Sequence, residues 1–328
     1  MFDVTSTRSL VESALLAGLA VVLFLAAHFL PFVGAAFSLI CPAPLVILGL
    51  RHDLRKASLG LGVASILVAA FLGPLTALFF LLGFGVLGVG LGYLAKRCRG
   101  GVDIMMYGIL ISLGSKLLLM VIVSRVTGIN PFQLDSGEMQ SVVDRVFKFY
   151  QSSGMSRETL AAVQAQFAES IKMLPVIFPT LLTLAAAMDC FLSYVTSGAV
   201  LRRLSGKGLP PLPPFSRWRF PRSVFLAFLV YMVLTALGSR SGEMSLSLRV
   251  GTNLRLLVNF LFLFQGLSLI WFFMKGGDAP SGKGERILGG IVIIVAVLVP
   301  LLSSITVMAG ICDMWLDLRL RFGRGDAS

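Results

Sequence analysis

Two charged residues stand where charge is costly. Lys116 lies inside the apolar run 103–124, and Asp189 lies inside the apolar run 173–201. Lys116 follows Asp103 by thirteen residues, and Asp189 precedes Leu201 by twelve. At about 1.5 Å rise per residue, each sits roughly 18–20 Å from the cytoplasmic end of its helix. Two antiparallel neighbours would therefore hold an ammonium and a carboxylate at similar depth. Either charge alone at mid-bilayer costs about 2.5–3.5 kcal/mol on insertion scales, so pairing is expected. Two readings stay open for that pair: an ion pair that locks helix packing, or the polar floor of a cavity for a substrate, ion or proton.

Other polar residues are sparser. Asn259 and Gln265 fall in the apolar run 256–274, where amides hydrogen-bond to neighbouring helices by default and contact a substrate as the alternative. His28 closes the first apolar run near the outer mouth, as an interfacial polar group or a cavity-mouth residue. His52 sits among basic residues in a loop, and no cluster is expected around it. Cys41, Cys98, Cys190 and Cys312 are scattered without a CxxC pair, which excludes a disulfide framework and a zinc site. No Ser/His/Asp or Cys/His set and no HExxH is recognisable. The chain therefore reads as a non-enzyme, with no cofactor and no metal.

Two glycine-rich stretches look like nucleotide motifs and fail as such. GDAPSGKG at 277–284 matches GxxxxGK, but Gly284 replaces the Ser/Thr that would bind magnesium, and an apolar helix precedes it instead of a strand. It reads as a flexible cytoplasmic linker. GFGVLGVGLGY at 83–93 lies inside an apolar run, where Gly88 and Gly92 would let another helix approach closely.

The elements that must position these residues follow from composition. The chain has 328 residues, 56% of them hydrophobic and 13% charged, with a mean hydropathy of +0.90. Soluble domains carry about 25% charged residues, and a bilayer crossing needs roughly 20 apolar ones. The fold class is all-α: a polytopic transmembrane helix bundle. Long uninterrupted runs exclude the short alternating segments of a β-barrel. Nine spans are expected, at about 10–30, 37–50, 57–72, 75–95, 103–124, 173–201, 222–237, 256–274 and 287–311. Pro42 and Pro44 interrupt the second, and Gly73-Pro74 separates the third from the fourth. The first run is too long for a leader's apolar core and lacks a clear cleavage site, so no cleavable signal is expected.

The net charge of +12 belongs to the loops. Arg51, Arg55 and Lys56 form one basic loop, and Lys96, Arg97 and Arg99 the next on the same side. Residues 202–222 hold Arg202, Arg203, Lys207, Arg217, Arg219 and Arg222. The bias places these loops and the N-terminus in the cytoplasm of a multi-pass protein in the bacterial inner membrane. Nucleic acid is excluded as a partner, since one short loop offers few phosphate contacts. An odd span count sends the C-terminus outside, against the charge of Arg319, Arg321 and Arg324. Three parts are expected: 1–205 with an outer amphipathic insert at 127–172, a Pro/Arg/aromatic linker at 206–221, and a three-span extension at 222–328. The insert reads as two short helices, about 139–150 and 157–170, lying on the membrane or folding over a cavity mouth.

The linker contains PPLPPFSRWRFP, residues 210–221. Just before a span, Arg217, Trp218, Arg219 and Phe220 read as an interfacial anchor, aromatics at headgroup level and arginines on lipid phosphate. The same stretch could serve as a docking edge for a cytoplasmic protein.

A chain with RSLVESALLAGLAVVL, then CPAPLVILGLRHDLRKA, then PPFSRWRFP late in its length resembles the YybS-like family of bacterial polytopic membrane proteins. The N-terminal two-thirds is also similar, more distantly, to the six-helix substrate-binding (S) components of energy-coupling factor vitamin transporters. That resemblance implies cytoplasmic termini, outer loops that close over a substrate, and a small-residue face on the first helix, here Ala14, Ala17 and Gly18. It also implies a membrane coupling subunit and an ATPase as partners and an unidentified small-molecule ligand. The expected function is therefore small-molecule binding or transport from the outer side, powered by a partner ATPase. The alternative is a membrane scaffold that recruits cytoplasmic or envelope-growth proteins through its basic loops and residues 210–221.

Overall fold

In hydrocarbon no water can satisfy a backbone N–H or C=O, so long apolar runs close their hydrogen bonds internally as helices. The computed structural model describes residues 4–30, 33–128, 157–206, 208–238, 245–275 and 283–322, and every regular element among them is helical. Six helices are long and apolar enough to cross a membrane, two shorter apolar helices accompany them, and one further pair is sharply bent. The chain divides into two compact units.

The first unit comprises residues 1–167 and 181–212. Its helices are α1 (Val4–Phe29), α2 (Gly34–Ile40), α3 (Pro42–Arg51), α4 (Leu54–Leu72), α5 (Pro74–Leu78), α6 (Val86–Arg97) and α7 (Gly101–Thr127). The second apolar run is thus two helices, divided at Cys41. Gly73 turns the chain between α4 and α5 at φ 88°, a left-handed conformation that side chains disfavour. A π-helical segment, Phe79–Gly85, joins α5 to α6. One core gathers Ala17, Phe24, Leu48, Leu61, Val68 and Phe80, with Phe80 and Phe84 edge-on to Phe24 at 5.0 and 5.8 Å between centroids. α3 and α6 run side by side in the same direction, backbone against backbone. A side chain at Gly88 would strike Leu45, and one at Gly92 would strike Val46 and Leu50. The close approach expected at Gly88 and Gly92 is thereby observed.

Helix α8 (Arg157–Ser205) is continuous over 49 residues. The amphipathic segment expected at 157–170 and the span expected at 173–201 are one helix. Pro175 and Pro179 lie inside it and do not end it, because neighbouring side chains can satisfy the freed backbone groups in a bundle. The other expected outer helix, 139–150, lies outside the described residues, as does most of GDAPSGKG.

The second unit comprises residues 168–180 and 213–328. It contains a 3₁₀ turn at Phe215–Arg217, then α9 (Ser223–Gly238), α10 (Leu246–Met274), α11 (Lys283–Leu298), α12 (Pro300–Leu316) and α13 (Leu318–Phe322). α9 and α10 are antiparallel: Gly238 meets Leu248, Gly251 meets Thr235, and Phe228 meets the Phe262 ring at 6.2 Å. α10 begins ten residues before the expected span, since Arg249, Asn253 and Arg255 mask its first turns in the sequence. The expected last span is not straight. It breaks at Val299-Pro300, where the chain bends by 104° between Leu288–Leu298 and Pro300–Leu316.

Candidate functional site

α7 presents small residues at Gly101, Gly108, Ser112 and Ser115 on its buried face, with Ile104 and Leu119 beside them. This helical spacing lets α8 approach. At Gly108 there is room only for Cys190 Sγ and Leu91. Cys190 Sγ lies 3.8 Å from the Met105 carbonyl. Above that seam Lys116 Nζ donates to Asp189 Oδ2 at 2.6 Å and to Ser112 Oγ at 2.9 Å. Ser115 Oγ returns to the Ser112 carbonyl at 2.9 Å. The two charges placed at equal depth by helix rise are therefore in direct contact. Lys116 keeps 18% of its side-chain surface and Asp189 keeps 28%, so the pair is not sealed. Among the described residues Asp189 Oδ1 carries no further bond, leaving an acceptor beside an ammonium at apolar depth.

The linker is organised differently. Ser268 Oγ donates to the Phe215 carbonyl at 2.6 Å and the Trp218 carbonyl at 3.1 Å. Gln265 Oε1 accepts from the Phe220 N–H at 3.3 Å. Arg319 donates to the Ser216 and Trp218 carbonyls, and its guanidinium lies 5.9 Å from the Phe272 ring centre. Asp313 faces it, Oδ2 at 3.2 Å from Nε, in an ion pair of which 3% and 0% remain exposed. Burial pulls the Arg319 guanidinium below its ordinary range, and Asp313 opposes that fall. Asp317, in the left-handed region at φ 46°, turns the chain back so that α13 can reach the linker. Its carboxylate takes Arg219 at 2.7 Å. Trp218 Nε1 donates to the Pro213 carbonyl at 2.9 Å. Gln265 thus faces the linker backbone, and the four residues read as an interfacial anchor lie in a segment bound by its own unit.

The remaining sequence candidates scatter. Asn259 is half-buried on α10, and the amide that bonds helices is Asn253, six residues earlier. Asn253 accepts from the Thr180 N–H at 3.1 Å and donates to the Val176 carbonyl at 2.6 Å, the two ends of one helical rung of α8. The nearby prolines, which interrupt α8's hydrogen-bond ladder, are the sequence signal for that splice. His28 is exposed, with its ring edge-on to Phe29. Ala17 is buried inside the first unit, whereas Ala14 is exposed and Gly18 has no heavy atom within 4 Å of its side-chain position.

The expectation of no cluster is corrected for His52, which does lie in the turn after α3. It is buried, with Ser9 Oγ 3.1 Å from Nδ1, Glu12 Oε2 4.0 Å from Nε2, and Lys96 Nζ donating to its carbonyl at 2.6 Å. Arg51 pairs with the same Glu12. These partners lie about forty residues away in the chain, so local spacing could not show them.

A family model described as "Predicted membrane protein (DUF2232)" matches residues 18–314. The chain is 27% identical over 318 residues to the "Uncharacterized protein YybS" of Bacillus subtilis (strain 168), covering 95% of this chain and 98% of that protein. No solved structure matches the chain.

Proposed function

The chain belongs to the DUF2232 family of predicted membrane proteins, and from that premise we propose that it is a small-molecule binding or transport subunit of the bacterial inner membrane. The observation that carries this reading is the Lys116–Asp189 pair, fixed by Ser112 yet partly exposed. An ion pair in low dielectric that keeps accessible surface can exchange partners with a polar ligand: the ligand's acceptor takes Lys116 and its donor takes Asp189. A fully packed pair cannot do so. The basic loops orient the N-terminus to the cytoplasm. The open positions at Ala14 and Gly18 suit a neighbouring helix, as the S-component likeness implies, while Ala17 serves the protein's own core. Energy comes from a partner ATPase, as the S-component likeness implies, since GDAPSGKG has Gly284 where a nucleotide loop needs Ser or Thr. The scaffold reading draws less support, since carbonyls of residues 215–218 and the N–H of Phe220 are taken up by the chain itself.

Gentle purification of the full chain from its native membrane, with mass spectrometry of bound proteins and small molecules, tests this. The expected result is an ATPase together with a polar small molecule that is lost from the Lys116→Ala/Asp189→Ala variant. Recovery of division or wall-synthesis proteins with no ligand would replace the proposal by the scaffold.

A further inference from the structure

The second unit contains a pair of helices whose two ends can be placed against the same landmark. That landmark is the linker backbone at 215–220, held by Gln265, Ser268 and Arg319. α10 reaches this level in its last turns. One turn beyond Ser268, the Trp271 ring fills the space beside Gly289, in the first half of α11. α11 therefore starts at the linker's level. At the other end, α12 delivers Trp315 to the Phe225 ring, 5.1 Å between centroids, at the linker end of α9. Asp313 and Asp317 then take Arg319 and Arg219, and Arg319 donates to the Ser216 and Trp218 carbonyls. The helix pair ends where it began.

The geometry points to a re-entrant hairpin: α11 and α12 enter and leave the bilayer by the linker's face, and the surface between them is occupied by acyl chains of one leaflet. The arms have 16 and 17 residues, each about 25 Å long. The chain bends by 104° between them, so a symmetric hairpin of such arms reaches only about 20 Å from its base, short of the roughly 30 Å hydrocarbon core. Re-entrant backbone is tolerated where protein covers it, and here α12 packs against α10 with Gly266 under Thr306 and Gly310 under Phe262. Its other face exposes Leu301, Ile305, Met308 and Trp315, a helical stripe fit for lipid. Charge agrees: in the sequence Lys275, Lys283, Arg286, Arg319, Arg321 and Arg324 flank the pair. The C-terminus then shares the linker's side, and the odd-count expectation of an outside C-terminus gives way.

Single cysteines test this in the full chain with Cys98 and Cys312 replaced by serine. Lys207→Cys marks the linker, Gly325→Cys the C-terminus and Leu301→Cys the bend. An impermeant maleimide is applied to spheroplasts and to inverted vesicles. Lys207→Cys and Gly325→Cys should label at least tenfold better from the same side, and Leu301→Cys should label from neither. Labelling of the first two from opposite sides, or of Leu301→Cys from the face opposite Lys207→Cys, would overturn the hairpin. Should the cysteine variants fail to fold, a reporter active on one side only, fused after Ser328 of the otherwise unaltered chain, gives the same decision by agreement or disagreement with the basic loops.

Discussion

Among the described residues, Lys116–Asp189 and Asp313–Arg319 are ion pairs built to opposite specifications. Lys116–Asp189 joins two apolar helices through one short bond and one serine, and both partners keep some surface. Asp313–Arg319 is shut away, and its arginine also holds two carbonyls and an aromatic face. A charge with many fixed partners is a strut: moving it strands several polar groups at once. A charge with one principal partner and residual access can trade that partner. The difference separates a residue that builds from one that is free to act, which residue type and depth alone do not.

The comparison breaks most readily at Arg319. Arg319→Ala leaves a buried carboxylate unpaired, and a loss of roughly 3–5 kcal/mol is expected, read as collapse of thermal stability in detergent. Asp313→Leu with Arg319→Met should recover most of it. An Arg319→Ala protein as stable as the parent would dissolve the distinction. Lys116→Ala and Asp189→Ala should each cost about 2.5–3.5 kcal/mol of insertion or stability. The double variant should cost less than their sum, since each single change strands a charge, and ligand recovery should vanish in all three. Equal losses without coupling would show the pair to be incidental.

Smaller effects sharpen the contrast. Gly310→Ala drives a methyl into the Phe262 carbonyl where α12 crosses α10. About 1–3 kcal/mol is expected from overpacking, measured as a lower unfolding temperature with Lys116–Asp189 untouched. Asn253→Ala removes three bonds to α8 and should cost about 0.6–1.7 kcal/mol, from the average to the maximum for an interhelical hydrogen bond in membranes. Gly18→Ala meets nothing within 4 Å and should leave stability within about 0.5 kcal/mol. A loss of partner recovery in that variant alone would mark α1 as a docking helix.

Much of the architecture was legible because membranes make sequence literal. Run length gave the apolar helices, six of the nine expected spans being long enough to cross among the described residues; Gly73-Pro74 gave the turn that Gly73 makes at φ 88°, and helix rise set Lys116 level with Asp189. What escaped is tertiary. His52 gathers Ser9 and Glu12 from the far end of the first span. Asn253 hid because three polar residues at the start of α10 look like a loop when burial is unknown. The last span looked whole because Val299 and Pro300 are both apolar, and hydropathy does not register a change of direction. The grip of Ser268 and Arg319 on the linker carbonyls also joins residues distant in the chain, which local composition does not register.

The contact of α3 with α6 has a mechanical consequence. Where Gly92 meets the Val46 carbonyl and Gly49 meets the Val89 carbonyl, main chain lies on main chain, with no side chain at those points to change rotamer and permit sliding. The two therefore act as one plank, a stationary frame for the first unit. Relative motion within the first unit falls to the helices that plank does not include.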